Sequence, residues 1–260
     1  MAHQSSTQQQ PPAGAPLPPR DPARSSSRQQ RRAARKSAEA QAVKRQQRTM
    51  LFGSVLAALL VAAVLIFLNR PKTPGADIVA AAPLPPSIPT NGALMGTADA
   101  PVKIVEWGDY QCPACGILAR SIEPQLVSEY IAPGKASFEF RNFTFLGEES
   151  QRAAAAALCA DQQGAFWPFH DTLYANQHGE NQGAFSDERL RSVANKLGLD
   201  MPAFNACLDD AATASTVAAS TAAGREQGVN ATPWLTVNGT RVENWQDWAA
   251  LSSAIDAASK

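Results

Sequence analysis

The stretch EWGDYQCPAC, residues 106–115, places two cysteines two residues apart just after an apolar run. Such a pair can bind a metal, close a structural disulfide or exchange electrons with another disulfide. A zinc site needs two more ligands, and the other candidates form no second close pair. These candidates are Cys159, Cys207, His170 and His178. A Cys-x-x-Cys loop is also too short to constrain the unfolded chain much. No metal site is predicted, and redox chemistry is favoured.

The redox interpretation gives each cysteine a distinct role. A helical pattern starts at Cys112, and Pro113 suits its first turn. A helix N-terminus carries about half an elementary positive charge and unpaired N–H groups. Cys112 is therefore predicted to be held as a thiolate, the attacking species. Cys115, one turn further along, can attack a mixed disulfide on Cys112 and release the partner. Because a stabilised thiolate favours the reduced form, the disulfide should be oxidising.

Glu106 and His170 are the further titratable candidates. Glu106 interrupts the apolar strand pattern VKIVEW (Val102–Trp107). A carboxylate is unusual in such a strand unless it has a functional role. A buried acid there could accept the proton of Cys115 through water. The alternative is a glutamate at a strand edge or end that faces solvent. His170 is expected to pack or hydrogen-bond within a helix rather than to shuttle protons.

Several segments together resemble the DsbA-like thiol oxidoreductases of the thioredoxin fold. These segments are PVKIVEWGDYQCPAC, FEFRNFTF, FWPFHDTLY, FSDERL and GVNATPWLTVNG. Glu106 lies six positions before Cys112, and a Thr232-Pro233 pair follows the helical region, as in that family. The resemblance covers roughly residues 93–258 and is more specific than the Cys-x-x-Cys motif alone.

The resemblance implies how the site binds its partners. Pro233 is implied to be cis beside the two sulfurs, with Thr232 offering its backbone to an extended substrate segment. Pro113 and Ala114 are expected to belong to the same substrate-binding surface. No dissociable cofactor is implied, and a membrane quinone-linked oxidase of the DsbB or VKOR type would reoxidise the cysteines. The best-known members have a histidine between the cysteines, so the uncharged pair here leaves the oxidising strength open.

The order of predicted elements agrees with an α/β, thioredoxin-like fold. A strand at Val102–Trp107, the cysteine helix and a strand at Ala136–Phe143 form a right-handed βαβ unit with parallel strands. Pro124 should kink the helix between them. The pattern is helical from about 147 to 228, which predicts a helical insertion.

A ββα unit is predicted to close the domain. WLTV, an Asn238-Gly239 hairpin turn and TRV follow Pro233, and a last helix runs from about Trp245 to Ala258. The complete order is βαβ, then helices, then ββα.

Cys159 and Cys207 lie 48 positions apart, each in a predicted helix of the insertion. Four cysteines in an exported domain favour a second disulfide between them. The alternative is two unrelated buried thiols, because Cys207 shares an apolar stripe with Phe204 and Leu208. Some relatives of the resembled family carry a second bridge, which supports the disulfide.

The stretch Met50–Leu68 has no charged residue in 19 positions. As a helix it spans roughly 28 Å, close to the ~30 Å hydrocarbon core of a bilayer. A buried soluble helix would be expected to carry a polar face. A cleaved signal peptide has a shorter apolar region with small residues close behind it, whereas Ala80 and Ala82 lie too far away. A retained transmembrane helix is predicted.

The flanking charges predict the orientation of that helix. Residues 1–72 carry 12 Lys and Arg against two acids, whereas residues 73–260 carry 11 against 21. The positive-inside rule places the N-terminus in the cytoplasm and the following domain outside. Nucleic-acid binding is the alternative use of the basic run, but its position beside a span favours membrane orientation and lipid contact.

The predicted organisation has four parts. Residues 1–49 are a disordered basic tail, and the transmembrane helix follows at 50–68. Residues 69–92 are a proline-rich, semi-rigid tether, and the folded domain occupies 93–260.

The predicted function is a membrane-tethered, extracytoplasmic thiol:disulfide oxidoreductase that introduces disulfides into reduced or unfolded exported proteins. Within the same class, the alternative is a reductase or isomerase, the latter weakened because no dimerisation domain is visible. From another class, the alternative is a tethered chaperone or binding module with non-essential thiols.

The orientation can be tested with a reporter fused after Lys260. A reporter that is active only outside the cytoplasm should be active, because the basic flank precedes the span. A reporter that works only in the cytoplasm is the matched control and should be silent. Activity of the cytoplasmic reporter alone would refute both the predicted location and the predicted function.

Overall fold

The computed structural model describes residues 22–68, 75 and 77–260. The chain divides into two compact units, residues 1–71 and 72–260, which are considered separately. The predicted tail and tether both include residues outside the described part, namely 1–21, 69–74 and 76.

The described part of the first unit is the helix α1 (Pro22–Leu68). Its segment Arg48–Leu65 has a mean hydropathy of 2.1 and is not buried, so by length and composition the helix could cross a membrane. The prediction of a disordered tail is wrong for residues 22–49, which are helical. This segment is rich in alanine, glutamine and arginine, which have high helix propensity. Extending a helix that already exists also avoids a new nucleation step.

The second unit is built on a mixed sheet, which within residues 77–260 has six strands in the order β1-β2-β4-β3-β5-β6. The strands are β1 (Thr90–Asn91), β2 (Leu94–Met95), β3 (Val102–Gly108), β4 (Ala136–Asn142), β5 (Trp234–Val237) and β6 (Thr240–Arg241). β3 and β4 run parallel. The other neighbouring pairs are antiparallel. Since β3 has a partner on both edges, its backbone is held on both sides.

The helices of this unit lie where the sequence pattern predicts them. They are α2 (Pro113–Ile117), α3 (Glu123–Leu126), α4 (Glu148–Asp161), α5 (Phe166–Ala175), α6 (Asp187–Lys196), α7 (Met201–Leu208), α8 (Ala211–Glu226) and α9 (Trp248–Ala258). From β3 onwards the predicted order of βαβ, helices and ββα is confirmed, whereas the strands β1 and β2 were not predicted. The closing helix starts three residues after Trp245, because the Asp247 carboxylate caps it by accepting from the N–H groups of Ala249 and Ala250.

The helix that follows the cysteines is continuous but not uniformly α-helical. Two π-helical turns, Leu118–Ile122 and Val127–Ile131, alternate with α2 and α3. Pro124 lies in the first turn of α3 and cannot donate an N–H to the Arg120 carbonyl four residues earlier. The disturbance predicted at Pro124 therefore takes the form of wider turns on both sides of it.

The insertion consists of α4 to α8 and lies between β4 and β5 in the chain. Its first helix, α4, buries a run of five alanines, 153–157, whose small side chains allow close packing. Cys159 of α4 and Cys207 of α7 form a disulfide with an S–S distance of 2.04 Å. The two helices are thus joined covalently across 48 positions of sequence.

Residues 77–92 pack on the domain instead of forming part of the predicted tether. Ile78 and Ile88 are buried in the core. The Asn176 amide holds Val79 by accepting from its N–H at 2.9 Å and donating to its carbonyl at 2.7 Å. The prediction was wrong here because proline content indicates stiffness, not whether the apolar residues between the prolines find a core.

Removing the bridge between α4 and α7 should destabilise the second unit. The double variant Cys159→Ala, Cys207→Ala is expected to lose about 4 kcal/mol of unfolding free energy, from the loop-closure entropy of 48 residues. Urea unfolding of the detergent-solubilised chain, followed by tryptophan fluorescence, measures this difference. Equal unfolding midpoints for the variant and the parent would show that the bridge does not form in solution.

Candidate active site

Cys112 and Cys115 lie at the N-terminus of α2, directly after the loop that leaves β3. Cys112 is the N-cap residue, and Pro113 occupies the first helical turn. Both thiols are free, with Cys112 7% exposed and Cys115 fully buried. The cysteine that is nearer the solvent is therefore the one at the helix end, where an incoming sulfur can reach it.

The environment of Cys112 favours its thiolate. The hydrogen bond from the Cys115 thiol is the largest cause that lowers the pKa of Cys112, to about 6. The backbone N–H groups of Cys115 and Ala114 lower it further, whereas partial burial opposes them. These N–H groups belong to the first helical turn and have no carbonyl partner within the helix. The direction agrees with the sequence-based expectation for a thiol at a helix N-terminus.

The environment of Cys115 favours the protonated thiol. Burial is the largest cause that raises its pKa, followed by its hydrogen bond to Cys112 and the charges of Glu106 and Cys112. The two cysteines are thus strongly unequal, although they stand one turn apart on the same helix. Of the two, Cys112 is the thiol that ionises near neutral pH.

Glu106 projects from the central strand β3 and is only 1% exposed. Within the described part of the chain, neither of its carboxylate oxygens has a hydrogen-bond partner at ordinary distance. Burial raises the pKa of Glu106 to about 8; the Cys115 thiol lowers it in part and the Cys112 charge raises it. The solvent-facing alternative for Glu106 is therefore wrong. Its carboxyl group is poised to exchange a proton at moderate pH, and Cys115 is the neighbour with a proton to exchange.

The Thr232-Pro233 peptide bond is cis and stands at the start of β5, beside the cysteines. Cys112 Sγ lies 3.4 Å from the Thr232 carbonyl oxygen, to which it donates a hydrogen bond when the thiol is protonated. Because β5 pairs with β3, the same sheet brings the Thr232 backbone and Glu106 to the two cysteines. Pro113 is exposed and Ala114 half-buried, so the surface between the cysteines is open.

Asp109 holds the loop before the cysteines, and the sequence analysis missed it. This fully buried residue accepts through its carboxylate from the N–H groups of Gln111, Phe145 and Leu146, at 2.8, 3.0 and 3.3 Å. Its carbonyl accepts from the Cys112 N–H at 3.0 Å. The signal available in the sequence was an acidic residue in a short loop directly after an apolar strand.

Gln177 is a second positioning residue that the sequence analysis missed. Its amide donates to the carbonyls of Tyr110 and Cys112, both at 2.8 Å. Gly116 permits this approach, since a Cβ atom there would stand 2.1 Å from the Gln177 amide oxygen. No local pattern marked Gln177, because it reaches the site from a loop 65 residues away.

Neither His170 nor His178 is among the groups that shift the pKa of Cys112 or Cys115. His170 is fully buried and packs against the rings of Phe140, Trp167 and Tyr174, with centroid distances of 4.8, 4.9 and 5.0 Å. His178 is exposed in a loop. His170 therefore packs within the core, as expected.

The chain is similar to proteins that are named for disulfide bond formation. A family model described as thioredoxin matches residues 89–257. The probable disulfide bond formation protein D of Bacillus anthracis is 32% identical over 166 residues, covering 62% of this chain and 76% of the relative. Disulfide bond formation protein D of Bacillus subtilis is 30% identical over 166 residues, covering 63% and 75%. The crystal structure of oxidised BdbD from Bacillus subtilis matches with a TM-score of 0.61 and 27% identity, covering 70% of this chain and 98% of that one.

The inequality of the two thiols predicts how the reduced protein reacts with an alkylating agent. The rate at Cys112 should rise with pH and reach half its maximum near pH 6, because the thiolate is the reacting species. Mass spectrometry after brief iodoacetamide treatment across a pH series measures the modified fraction. Cys115, buried and protonated, is the internal control and should remain unmodified. A half-maximum near the free-thiol value of about 8.5 would contradict the stabilised thiolate.

Proposed function

This chain belongs to the DsbA-like thiol:disulfide oxidoreductases of the thioredoxin fold, and on that premise we propose that it donates disulfides to exported proteins. The observation that carries the direction is the inequality of the two thiols. A pKa of about 6 at Cys112 stabilises the reduced form near neutral pH, which makes the disulfide of the oxidised form a better electron acceptor.

The proposed donation proceeds in two exchanges. In the first, a substrate thiolate attacks Cys112 Sγ of the Cys112–Cys115 disulfide, and Cys115 leaves with the electron pair of that bond. In the second, another substrate thiolate attacks the substrate sulfur of the mixed disulfide, and Cys112 leaves as a thiolate. The substrate ends with one disulfide, and the enzyme ends with two reduced sulfurs. The low pKa of Cys112 makes it a good leaving group in the second exchange.

Glu106 supplies the proton that the first exchange needs. Cys115 leaves into a buried position where its thiolate is disfavoured. Glu106, with its pKa raised to about 8, is mostly protonated at pH 7 and can give its proton to that sulfur, directly or through water. In the reverse direction, when Cys115 attacks a mixed disulfide, the same carboxylate accepts the proton. By microscopic reversibility, the same residue therefore gives the proton during donation and takes it back during reoxidation.

The substrate segment is proposed to bind beside the cis peptide bond. The Thr232 backbone lies against Cys112. Ile117 and Phe145 are 46% and 47% exposed, which is high for apolar side chains in this domain. The Phe145 N–H donates a hydrogen bond to the Asp109 carboxylate. The loop before Cys112, which contains Asp109, is therefore tied to the exposed Phe145. An unfolded substrate segment has an unpaired backbone, which can bind the Thr232 backbone. Its apolar side chains can pack on Ile117 and Phe145.

The proposed location is the outer face of a membrane, with α1 as the anchor. Its apolar segment is long enough to span a bilayer, and the basic run before it favours a cytoplasmic N-terminus. In that location the domain meets newly exported, reduced chains. A membrane quinone-linked oxidase of the DsbB or VKOR type is the proposed partner that accepts the electrons afterwards.

Donation can be measured by mixing the oxidised full chain with a reduced, unfolded protein that contains cysteines. The substrate should gain disulfides as the chain becomes reduced. The equilibrium potential against glutathione should lie between about −270 mV, the value of thioredoxin, and about −120 mV, the value of DsbA. Glu106→Gln keeps the size but has no acidic proton, so donation should slow by about a hundredfold.

The control for this experiment is Cys115→Ala, which cannot form the disulfide and should donate none. A potential at or below that of thioredoxin, together with failure to oxidise the substrate, would make a reductase the better assignment. Undiminished donation by Glu106→Gln would instead remove Glu106 from the proposed mechanism.

A further inference from the structure

Two carboxyl groups that the sulfur chemistry does not use line one cavity of the second unit. Glu123 comes from α3 and Asp171 from α5, so the helical run after the cysteines and the insertion each contribute one of them. One oxygen of Glu123 lies within 4.8 Å of one oxygen of Asp171. A single ligand group can therefore contact both residues.

Glu123 is a buried acid without a partner for one of its oxygens. The residue is 4% exposed, and within the described part of the chain its Oε2 atom has no hydrogen-bond partner. A buried polar atom without a partner lowers the stability of the fold. A ligand that donates a hydrogen bond to this atom would remove that cost.

His170 holds the second carboxyl group in place. His170 Nδ1 lies 2.9 Å from Asp171 Oδ1, and because an ionised carboxylate only accepts, the ring proton is on Nδ1. His170 is fully buried and lies outside the lining of the cavity, so it positions Asp171 and is not itself a ligand. A carboxylate offers about four lone-pair sites, which leaves Asp171 able to accept from a donor in the cavity.

The charge that faces Glu123 is mainly negative. Burial raises the pKa of Glu123, and the charges of Asp171 and Glu106 raise it further. Arg120 lines the same cavity, but it is exposed and donates to the Tyr174 carbonyl at 2.6 Å. Within the described residues, neither Glu123 nor Asp171 forms a salt bridge with a lysine or an arginine. A positively charged ligand group would therefore be attracted to this pair.

The cavity has the size and the walls of a small-molecule site. Its volume is about 740 Å³, and its apolar walls include Leu84, Ile88 and Val127. Pockets for small organic ligands measure about 300–1,000 Å³ and combine apolar walls with a few polar groups. Asp171 is half-buried, so solvent reaches the carboxyl pair through the cavity.

We propose that this cavity binds a small organic amine, whose ammonium group donates to Glu123 and Asp171 and whose apolar body packs on the walls. An ammonium nitrogen carries three donors in a tetrahedral arrangement. Two of its charge-assisted hydrogen bonds, each about 2.8 Å long, join oxygens that stand about 4.6 Å apart. The observed spacing of the two oxygens, within 4.8 Å, suits such a bridge.

The two carboxyl groups also decide against other small molecules. A ligand with acceptors alone would leave Glu123 Oε2 without a donor. An anion would be repelled by Asp171. A neutral hydroxyl can donate only one hydrogen bond, and that bond lacks the strength of a charged donor.

Calorimetric titration of the detergent-solubilised full chain with benzylamine tests the site. One benzylammonium ion per chain is expected. Benzyl alcohol, which has nearly the same size but no charge, should bind at least about tenfold more weakly, because hydrogen bonds to charged groups are the stronger ones. Nα-acetyl-lysine amide should also bind more weakly than benzylamine, since its polar backbone does not suit the apolar walls. Tighter binding of the lysine compound would make a protein lysine the source of the ammonium group and overturn the small-amine proposal.

Substitutions of the carboxyl groups locate the binding. Glu123→Gln and Asp171→Asn should each weaken benzylamine binding by at least about tenfold. Glu129→Gln removes an exposed carboxylate from the same helical run and is the matched control, which should bind like the parent. Circular dichroism without ligand shows whether each variant folds. If Glu123→Gln does not fold, the half-buried Asp171→Asn serves in its place.

The pH dependence of binding gives a readout that a merely structural role would not change. A cation beside Glu123 lowers the pKa of its carboxyl group, so the amine binds the ionised form better. The affinity of the parent should therefore rise from about pH 6 to about pH 8 while the amine stays charged, whereas that of Glu123→Gln should change less. Absence of saturable benzylamine binding, equal binding of benzyl alcohol, or equal binding by Asp171→Asn and Glu129→Gln would overturn the proposal.

Discussion

The hydrogen bond from the buried Cys115 thiol to the Cys112 sulfur is the interaction on which the rest of the site depends. It makes the largest contribution to lowering the pKa of Cys112, and it raises that of Cys115. It exists because one helical turn separates the two residues, and because the core buries one sulfur while the helix end presents the other.

The same burial gives a carboxyl group a role in the proposed exchange. A thiolate at Cys115 is disfavoured by its surroundings, so in the proposed mechanism each exchange that breaks or forms its bond also moves a proton. Glu106 occupies the central strand beneath the helix end, and its pKa of about 8 lets it carry either charge state near neutral pH. An unpartnered buried carboxyl costs stability. Its presence on a strand that is paired on both edges is therefore an argument for function.

The positions of these groups are held by contacts from distant parts of the chain. Asp109 ties the loop before Cys112 to the end of β4, and Gln177 ties it to the insertion. Thr232 brings in the backbone before β5. The insertion thus contributes directly to the geometry of the cysteines, and its two cysteine-bearing helices are joined by a disulfide.

Local sequence patterns were enough to predict much of the secondary structure of this protein. The alternation in VKIVEW, the proline after Cys112 and the apolar run at 50–68 each act over a few residues, and all three gave elements that the structure contains. The burial of Glu106 could be suspected for the same reason, since a charge in an apolar strand is unusual. The order of strands and helices followed from these elements and the right-handed crossover rule.

Only the tertiary structure decided where distant residues meet. The packing of residues 77–92 and the hydrogen bonds from Gln177 to the backbone around Cys112 depend on contacts between segments far apart in the chain. Composition suggested a free tether and a disordered tail. Within the described residues, 77–92 instead pack on the domain, where Ile78 and Ile88 are buried, and 22–49 are helical as part of α1. The sequence by itself predicted the chemistry of the two cysteines. Their unequal acidity required the fold, because a pKa shift is set by burial and by partners that the folded chain brings together.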